Sequence, residues 1–202
     1  MNLRKSRPTI DISTVEAPTA EQLEEVLKSY KYRNRFLKIL RNTVLTLIVV
    51  AALSVIVAMM FMPVLQINGE SMTNTLSNDD LVVAFSHAKC ETGDVIAFYF
   101  NNNILVKRVI ARSGQWVDID QDGNVYVDGV LIDEPYINEK AFGDCNIDLP
   151  YQVPDGRYFV MGDHRSTSID SRNNAIGCVS EEMIVGKVAY RVWPLNSIGN
   201  ID

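Results

Sequence analysis

The stretch Val44–Met62, VLTLIVVAALSVIVAMMFM, decides the architecture of this chain. It sits inside a longer run, Asn42–Leu65, that contains no charged side chain. A helix of about 20 such residues, rising about 1.5 Å each, matches the ~30 Å hydrocarbon core of a bilayer. A core helix of a soluble domain is normally apolar along one stripe, whereas this run is apolar on every face. A cleavable secretory leader has a shorter apolar region and a small-residue cleavage site, and Met59-Met60-Phe61-Met62-Pro63 offers none. The run therefore predicts a single transmembrane helix over residues 42–64.

Charge orients that helix. Lys28, Lys31, Arg33, Arg35, Lys38 and Arg41 lie directly before it, and the first basic residue after it is Lys89. The bias puts the N-terminus in the cytoplasm and residues 65–202 outside, in a single-pass protein of a plasma membrane. A formal charge of −6 over 202 residues hides this asymmetry. The region beyond the anchor is acidic, which argues against nucleic-acid binding. The basic end before the anchor would attract anionic lipid.

Three regions follow. Residues 1–41 form a cytoplasmic tail and a basic amphipathic helix, 42–64 the anchor, and 65–202 an extracytoplasmic β domain. Residues 1–18 lack periodicity and read as disordered. Thr19 and Gln22 form a capping box, after which Leu23, Val26, Leu27 and Tyr30 share one helical face. This short helix is expected to run toward or into the span.

After Pro63 the pattern becomes one of short β segments. Leu81–Phe85, Val95–Phe100 and Ile104–Ala111 are rich in β-branched and aromatic residues. Trp116–Ile119, Val125–Val127 and Val130–Ile132 are separated by Asp122-Gly123 and Asp128-Gly129, both good hairpin signals. Arg157–Met161 and Ile184–Val192 add strands, and 141–154 reads as a loop. The fold class is thus mainly β: one antiparallel domain behind one N-terminal membrane helix. Cys90, Cys145 and Cys178 form an odd set without metal-ligand spacing. An extracytoplasmic domain permits one disulfide, with Cys145–Cys178 the least implausible pairing.

Two histidines, His87 and His164, limit any Ser-His-Asp arrangement. Asp163 adjoins His164, but neighbouring side chains on extended backbone point to opposite faces, so it could not readily orient the ring. Both histidines read as exposed loop residues. Lys107 is the better base for a serine nucleophile. It interrupts Ile104-Leu105-Val106 and Val109-Ile110, where burial would disfavour the ammonium and lower its pKa from ~10.4. On composition alone, a lysine snorkelling from a strand edge is the plainer account. The surrounding motifs reverse that order.

These motifs are Ser71-Met72-Thr73-Asn74-Thr75-Leu76, Gly93-Asp94-Val95-Ile96-Ala97-Phe98, Lys107-Arg108-Val109-Ile110 and Gly162-Asp163-His164-Arg165-Ser166-Thr167-Ser168-Ile169-Asp170-Ser171-Arg172. With Gly186-Lys187 and Arg191-Val192-Trp193-Pro194 behind them, they resemble, in order, the boxes of the type I signal peptidases. Any one box is weak, but the whole series behind one anchor is specific. The resemblance implies a serine endopeptidase that removes signal peptides. Ser71 would be the nucleophile and Lys107 the general base. Ser168 would orient the lysine amine, and the Ser71 N–H would form part of the oxyanion hole. Met72 would flank the substrate pocket, while Asp163, Arg165, Asp170 and Arg172 would brace the site through ion pairs. No metal or cofactor is implied. The expected partners are preprotein signal peptides and membrane lipid, with the secretion translocon nearby.

Three positions depart from the family pattern. Asn74 replaces the box proline and so loosens a backbone position that proline would fix. Gly69 stands where some members have a serine that completes the oxyanion hole, and His164 replaces an asparagine. The self-cleaving repressors share a similar Ser-Lys core, but they carry a DNA-binding domain and no membrane span. An anchored β module that binds peptides without cutting them is the rival from outside the enzymes.

Overall fold

The computed structural model describes residues 17–201. The disordered tail expected over 1–18 lies almost entirely outside them. Helix α1 (Ala20–Phe61) is continuous for 42 residues. The capping box closes as expected: the Thr19 N–H donates to Gln22 Oε1 at 3.1 Å, and the Gln22 N–H to Thr19 Oγ1 at 3.4 Å. The short amphipathic helix and the apolar span are one helix, because neither glycine nor proline interrupts Ala20–Phe61. Within the apolar stretch, the Thr46 and Ser54 hydroxyls donate to the carbonyls of Asn42 and Val50. These hydroxyls are thus satisfied inside the helix, as a hydrocarbon surrounding would require. Leu45, Ile48, Leu53 and Ile56 are exposed, the pattern of a lipid-facing surface. Pro63 cannot continue the ladder, and the chain leaves the helix there.

The region beyond is built from two antiparallel sheets. The larger contains β1 (Val64–Gln66), β2 (Leu81–Phe85), β3 (Val95–Phe100), β4 (Asn103–Arg112), β9 (Arg157–Met161), β10 (Val179–Ser180), β11 (Ile184–Trp193) and β12 (Gly199–Asn200). Its order is β1-β2-β11-β3-β4-β9-β10, with β12 pairing β11. The smaller sheet contains β5 (Trp116–Ile119), β6 (Val125–Val127), β7 (Val130–Leu131) and β8 (Tyr151–Gln152), in the order β7-β6-β5-β8. The mainly antiparallel β fold behind one apolar helix is as the sequence predicts.

Alternation decides which faces are buried. In the small sheet Val117, Ile119, Val125 and Val127 point inward and pack on Phe159 and Met161 of β9, while Trp116 and Asp118 face out. Ile67, Met72, Leu76, Val82, Val95 and Val188 form a second core, beneath the segment that carries Ser71. Strands β1, β8, β10 and β12 are two or three residues long, too short to show a period in the sequence. The Cys145–Cys178 pairing does not occur, and Cys90, Cys145 and Cys178 are all free thiols. Cys178 is committed to the core of the small sheet, which burial explains.

Candidate active site

Ser71 sits on a tight turn that follows β1. Its lower side is pinned by burial of Met72 and Leu76, and the Leu76 N–H donates to the Met72 carbonyl at 2.8 Å. Gly69, at φ +102°, directs its N–H to Asn78 Oδ1 at 2.8 Å. The far end of the turn is held by Arg191, which donates to the Thr75 carbonyl at 3.1 Å and pairs with buried Asp80 at 2.9 Å. Asn74 has φ +92°. Proline is confined near −65°, so this turn has no room for the family's proline, whereas asparagine tolerates positive φ. The Asn138 amide also donates to Asn74 Oδ1 at 2.7 Å.

Strand β4 delivers Lys107. It lies opposite Ile96 in the β3–β4 ladder, and its Nζ is 2.5 Å from Ser71 Oγ. The residue is only 3% exposed. Burial lowers its pKa from 10.5 to about 8; Asp170 opposes that fall, Arg172 adds to it, and Asp163 opposes it. Neutralising the amine is therefore cheap near physiological pH, which an exposed lysine would not allow.

The next residue on β4, Arg108, points to the opposite side and is also buried. Its Nε and Nη2 donate to the two carboxylate oxygens of Asp163 at 3.0 and 2.8 Å. Thr75 Oγ1 joins the same carboxylate at 2.5 Å, and Arg108 Nη1 reaches the Gly93 carbonyl at 2.7 Å. One ion pair thus joins the Ser71 turn, the Lys107 strand and the segment 162–172. That segment is closed on itself. Asp170 accepts from the Gly162 N–H and from Arg172, and Arg172 donates onward to the carbonyls of Arg165, Ser168 and Phe142. Arg165 pairs with Glu134. Arg108 and Thr75 lie inside the quoted boxes without an assigned role, and Glu134 lies outside them. A buried arginine needs a carboxylate, but nothing in the linear order says which one.

Ser168 is 1% exposed, and its Oγ makes no hydrogen bond. The bond to the Lys107 amine expected from the sequence is not formed. The side chain packs against Gly162, where a Cβ would collide with both Ser168 and the Ser71 carbonyl oxygen. Gly162 is therefore required for this close approach. His87 is exposed and His164 half-buried. The His164 N–H donates to the Ser71 carbonyl at 3.1 Å, and its Nδ1 lies 3.3 Å from the Glu70 carbonyl. A carbonyl only accepts, so that contact requires the proton on Nδ1. The ring thus serves the backbone beside Ser71.

A groove of about 580 Å3 opens beside Ser71 and Lys107, lined by Val64–Ile67 on one side and Asn102–Val106 on the other. Met72 reaches its floor while remaining 2% exposed. Both walls are strand edges. β1 pairs only with β2, and β9 joins β4 only from Arg108 onward, so among the described residues Asn103–Lys107 have no ladder partner on that edge. Unpaired N–H and C=O groups on both walls suit an extended peptide.

Comparison with known proteins places the chain in a family. The profile of the family described as "Signal peptidase, peptidase S26" matches residues 40–193. The chain belongs to that family; it is a serine endopeptidase of the signal peptidase I class, whose activity is removal of signal peptides, and its long apolar helix fits a transmembrane anchor. It is 38% identical over 150 residues to signal peptidase IB of Staphylococcus aureus (strain COL), covering 64% of this chain and 77% of that protein. To signal peptidase I S of Bacillus subtilis (strain 168) it is 33% identical over 144 residues, covering 65% and 77%. A crystal structure of a signal peptidase I from Enterococcus faecalis V583 aligns with a TM-score of 0.43 and 29% identity, over 50% of this chain and 98% of that one.

Proposed function

We propose that this enzyme cleaves preproteins with Ser71 as nucleophile and neutral Lys107 as general base, through an acyl-enzyme. The observation that carries this reading is the 2.5 Å approach of a buried lysine amine, its pKa near 8, to a serine hydroxyl at the end of a peptide-sized groove. The signal peptide lies extended in the groove and adds hydrogen bonds to the β1 and β4 edges. Small pockets beside Met72 accept small side chains at the first and third positions before the cut, giving Ala-x-Ala sites.

Neutral Lys107 takes the Ser71 proton as Oγ attacks the scissile carbonyl. The Ser71 N–H donates to the oxyanion, where negative charge develops. Lys107 then gives its proton to the leaving amine, and water activated by the same base releases the cut peptide. Ser168 orients the amine in the reacting complex, a role supported by its buried, unpartnered hydroxyl on the segment whose Asp170 and Arg172 act on Lys107. Asp163, Arg165, Asp170 and Arg172 brace the site through their ion pairs.

Residues 1–41 are cytoplasmic, the apolar part of α1 from residue 42 to residue 61 forms the anchor, and the extracytoplasmic catalytic domain begins with β1 at Val64. Basic residues before the span favour this orientation in a bacterial plasma membrane, contact with anionic lipid, and work close to the secretion translocon. Cleavage of a signal-peptide substrate by the detergent-solubilised protein, beside Ser71→Ala and Lys107→Ala, tests the mechanism. Loss of cutting in both folded variants is expected. Cutting that survives in Ser71→Ala, or is missing from the parent, overturns it.

A further inference from the structure

Five consecutive residues after the small sheet, Glu134–Asn138, touch every piece of the site. The Glu134 carboxylate is buried and takes both Nη groups of Arg165, whose Nε donates to the Gly162 carbonyl at 3.1 Å. Two residues on, the Tyr136 ring lies over the Arg108 guanidinium at 3.9 Å, and its hydroxyl donates to Glu134 at 3.0 Å. A further two residues on, the Asn138 amide holds Asn74 at 2.7 Å. Arg108 follows Lys107 on β4, Arg165 lies three residues before Ser168, and Asn74 is on the Ser71 turn. These three pieces come from distant stretches of the chain, and the segment adds to the β4–β9 ladder and the Arg108–Asp163 pair that already connect them.

We propose that Glu134–Asn138 is a positioning clamp that holds the Ser71 turn, the Lys107 strand and the Ser168 segment in register. The proposal rests on Ser71 and Lys107 being the reacting pair. The segment suits this work because its own backbone is restricted. Pro135 limits both itself and Glu134, and the Ile137 N–H closes a turn onto the Glu134 carbonyl at 3.3 Å. Its two inner contacts meet guanidinium planes, which accept a bidentate carboxylate and an aromatic face in fixed geometry. Its outer contact suits this particular chain. With asparagine in place of proline the Ser71 turn loses a fixed φ, and the Asn138–Asn74 hydrogen bond restrains the same position from outside.

Glu134 and Arg165 are buried, so cutting their pair endangers folding. Asn74 and Asn138 are exposed, and their bond can be removed without stranding a buried charge. The test compares full-length, detergent-solubilised parent with Asn138→Ala, Asn74→Gly, their double variant, Tyr136→Phe and Tyr136→Leu. The substrate is an internally quenched signal peptide with an Ala-x-Ala site, and acylable sites are titrated with a penem. A positioning role predicts that Asn138→Ala lowers kcat per titrated site about two- to tenfold while KM stays within about twofold. The double variant should be no slower than the worse single one, and Tyr136→Phe should recover most of the rate lost in Tyr136→Leu.

The clamp is overturned if the variants keep the parent's kcat per titrated site and lose only the number of titratable sites, which is what mere destabilisation does. Additive losses in the double variant overturn it as well. Cleavage that survives Ser71→Ala or Lys107→Ala in parallel assays removes the catalytic assignment and the clamp together. Dead Ser71 and Lys107 variants beside undiminished clamp variants remove the clamp alone.

Discussion

Replacing Lys107 by methionine should end cleavage and stabilise the fold below pH 8. The residue is 3% exposed, and its pKa falls from 10.5 in the free residue to about 8 in the folded protein. Between pH 8 and 10.5 the unfolded chain therefore holds a proton that the folded protein has released, so stability rises with pH across that window. Below pH 8 both states are protonated, and the folded state carries the full cost of a buried ammonium. A depression of about 2.5 corresponds to about 3 kcal/mol. Methionine of similar length removes that cost but also removes the hydrogen bond to Ser71 Oγ, about 1 kcal/mol. The net gain at pH 7 is about 2 kcal/mol. Urea unfolding of parent and variant, followed through Trp116 and Trp193 fluorescence from pH 6.5 to 10.5, reads both quantities. Subtracting the two curves cancels shared titrations, including those of Cys90 and Cys178, whose thiol pKa values are raised by burial. Parallel curves, or a variant less stable than the parent at pH 7, would refute the buried, neutralisable lysine.

On the proposed mechanism kcat/KM should climb about tenfold per pH unit below about 8 and then level off. A profile flat from pH 6 to 8 would count against a lysine base. Asn74→Pro, which restores the family residue, should harm this chain, because φ +92° excludes proline. The expected loss is at least about 1 kcal/mol of stability together with activity, while Asn74→Gly stays folded; unfolding midpoints and cleavage rates for both decide it. Asp163→Ala leaves the Arg108 guanidinium buried without its carboxylate and should cost about 3–5 kcal/mol. A shift of the unfolding midpoint worth less than about 1 kcal/mol would show that the pair is not the brace.

A proline at position 74 could not hold the Ser71 turn as Asn74 holds it. Asparagine here serves two purposes, since it accepts positive φ and offers Oδ1 to Asn138. Taken alone in the sequence, Asn74 reads as a loosened position. Its tertiary partner, 64 residues away, lies beyond any local pattern.

Local signals in the chain were enough to define the long apolar helix, most of the strands and the order of the chemistry-bearing boxes. An uncharged run of bilayer length, short runs rich in β-branched and aromatic residues and Asp-Gly turns act through the backbone nearby. The strand boundaries of β2, β3, β5, β6 and β9 follow from that pattern alone. Tertiary packing settled what meets what. It set Lys107 against Ser71 across 36 residues, matched Arg108 with Asp163 across 55, and gave Arg165 to Glu134 across 31. It turned the Ser168 hydroxyl toward Gly162 and left three thiols unpaired. Burial is the cause, because it makes charges choose partners. A buried guanidinium or ammonium is tolerated only where a distant carboxylate, ring or hydroxyl arrives at hydrogen-bond distance, and that arrival is a property of the packed sheets.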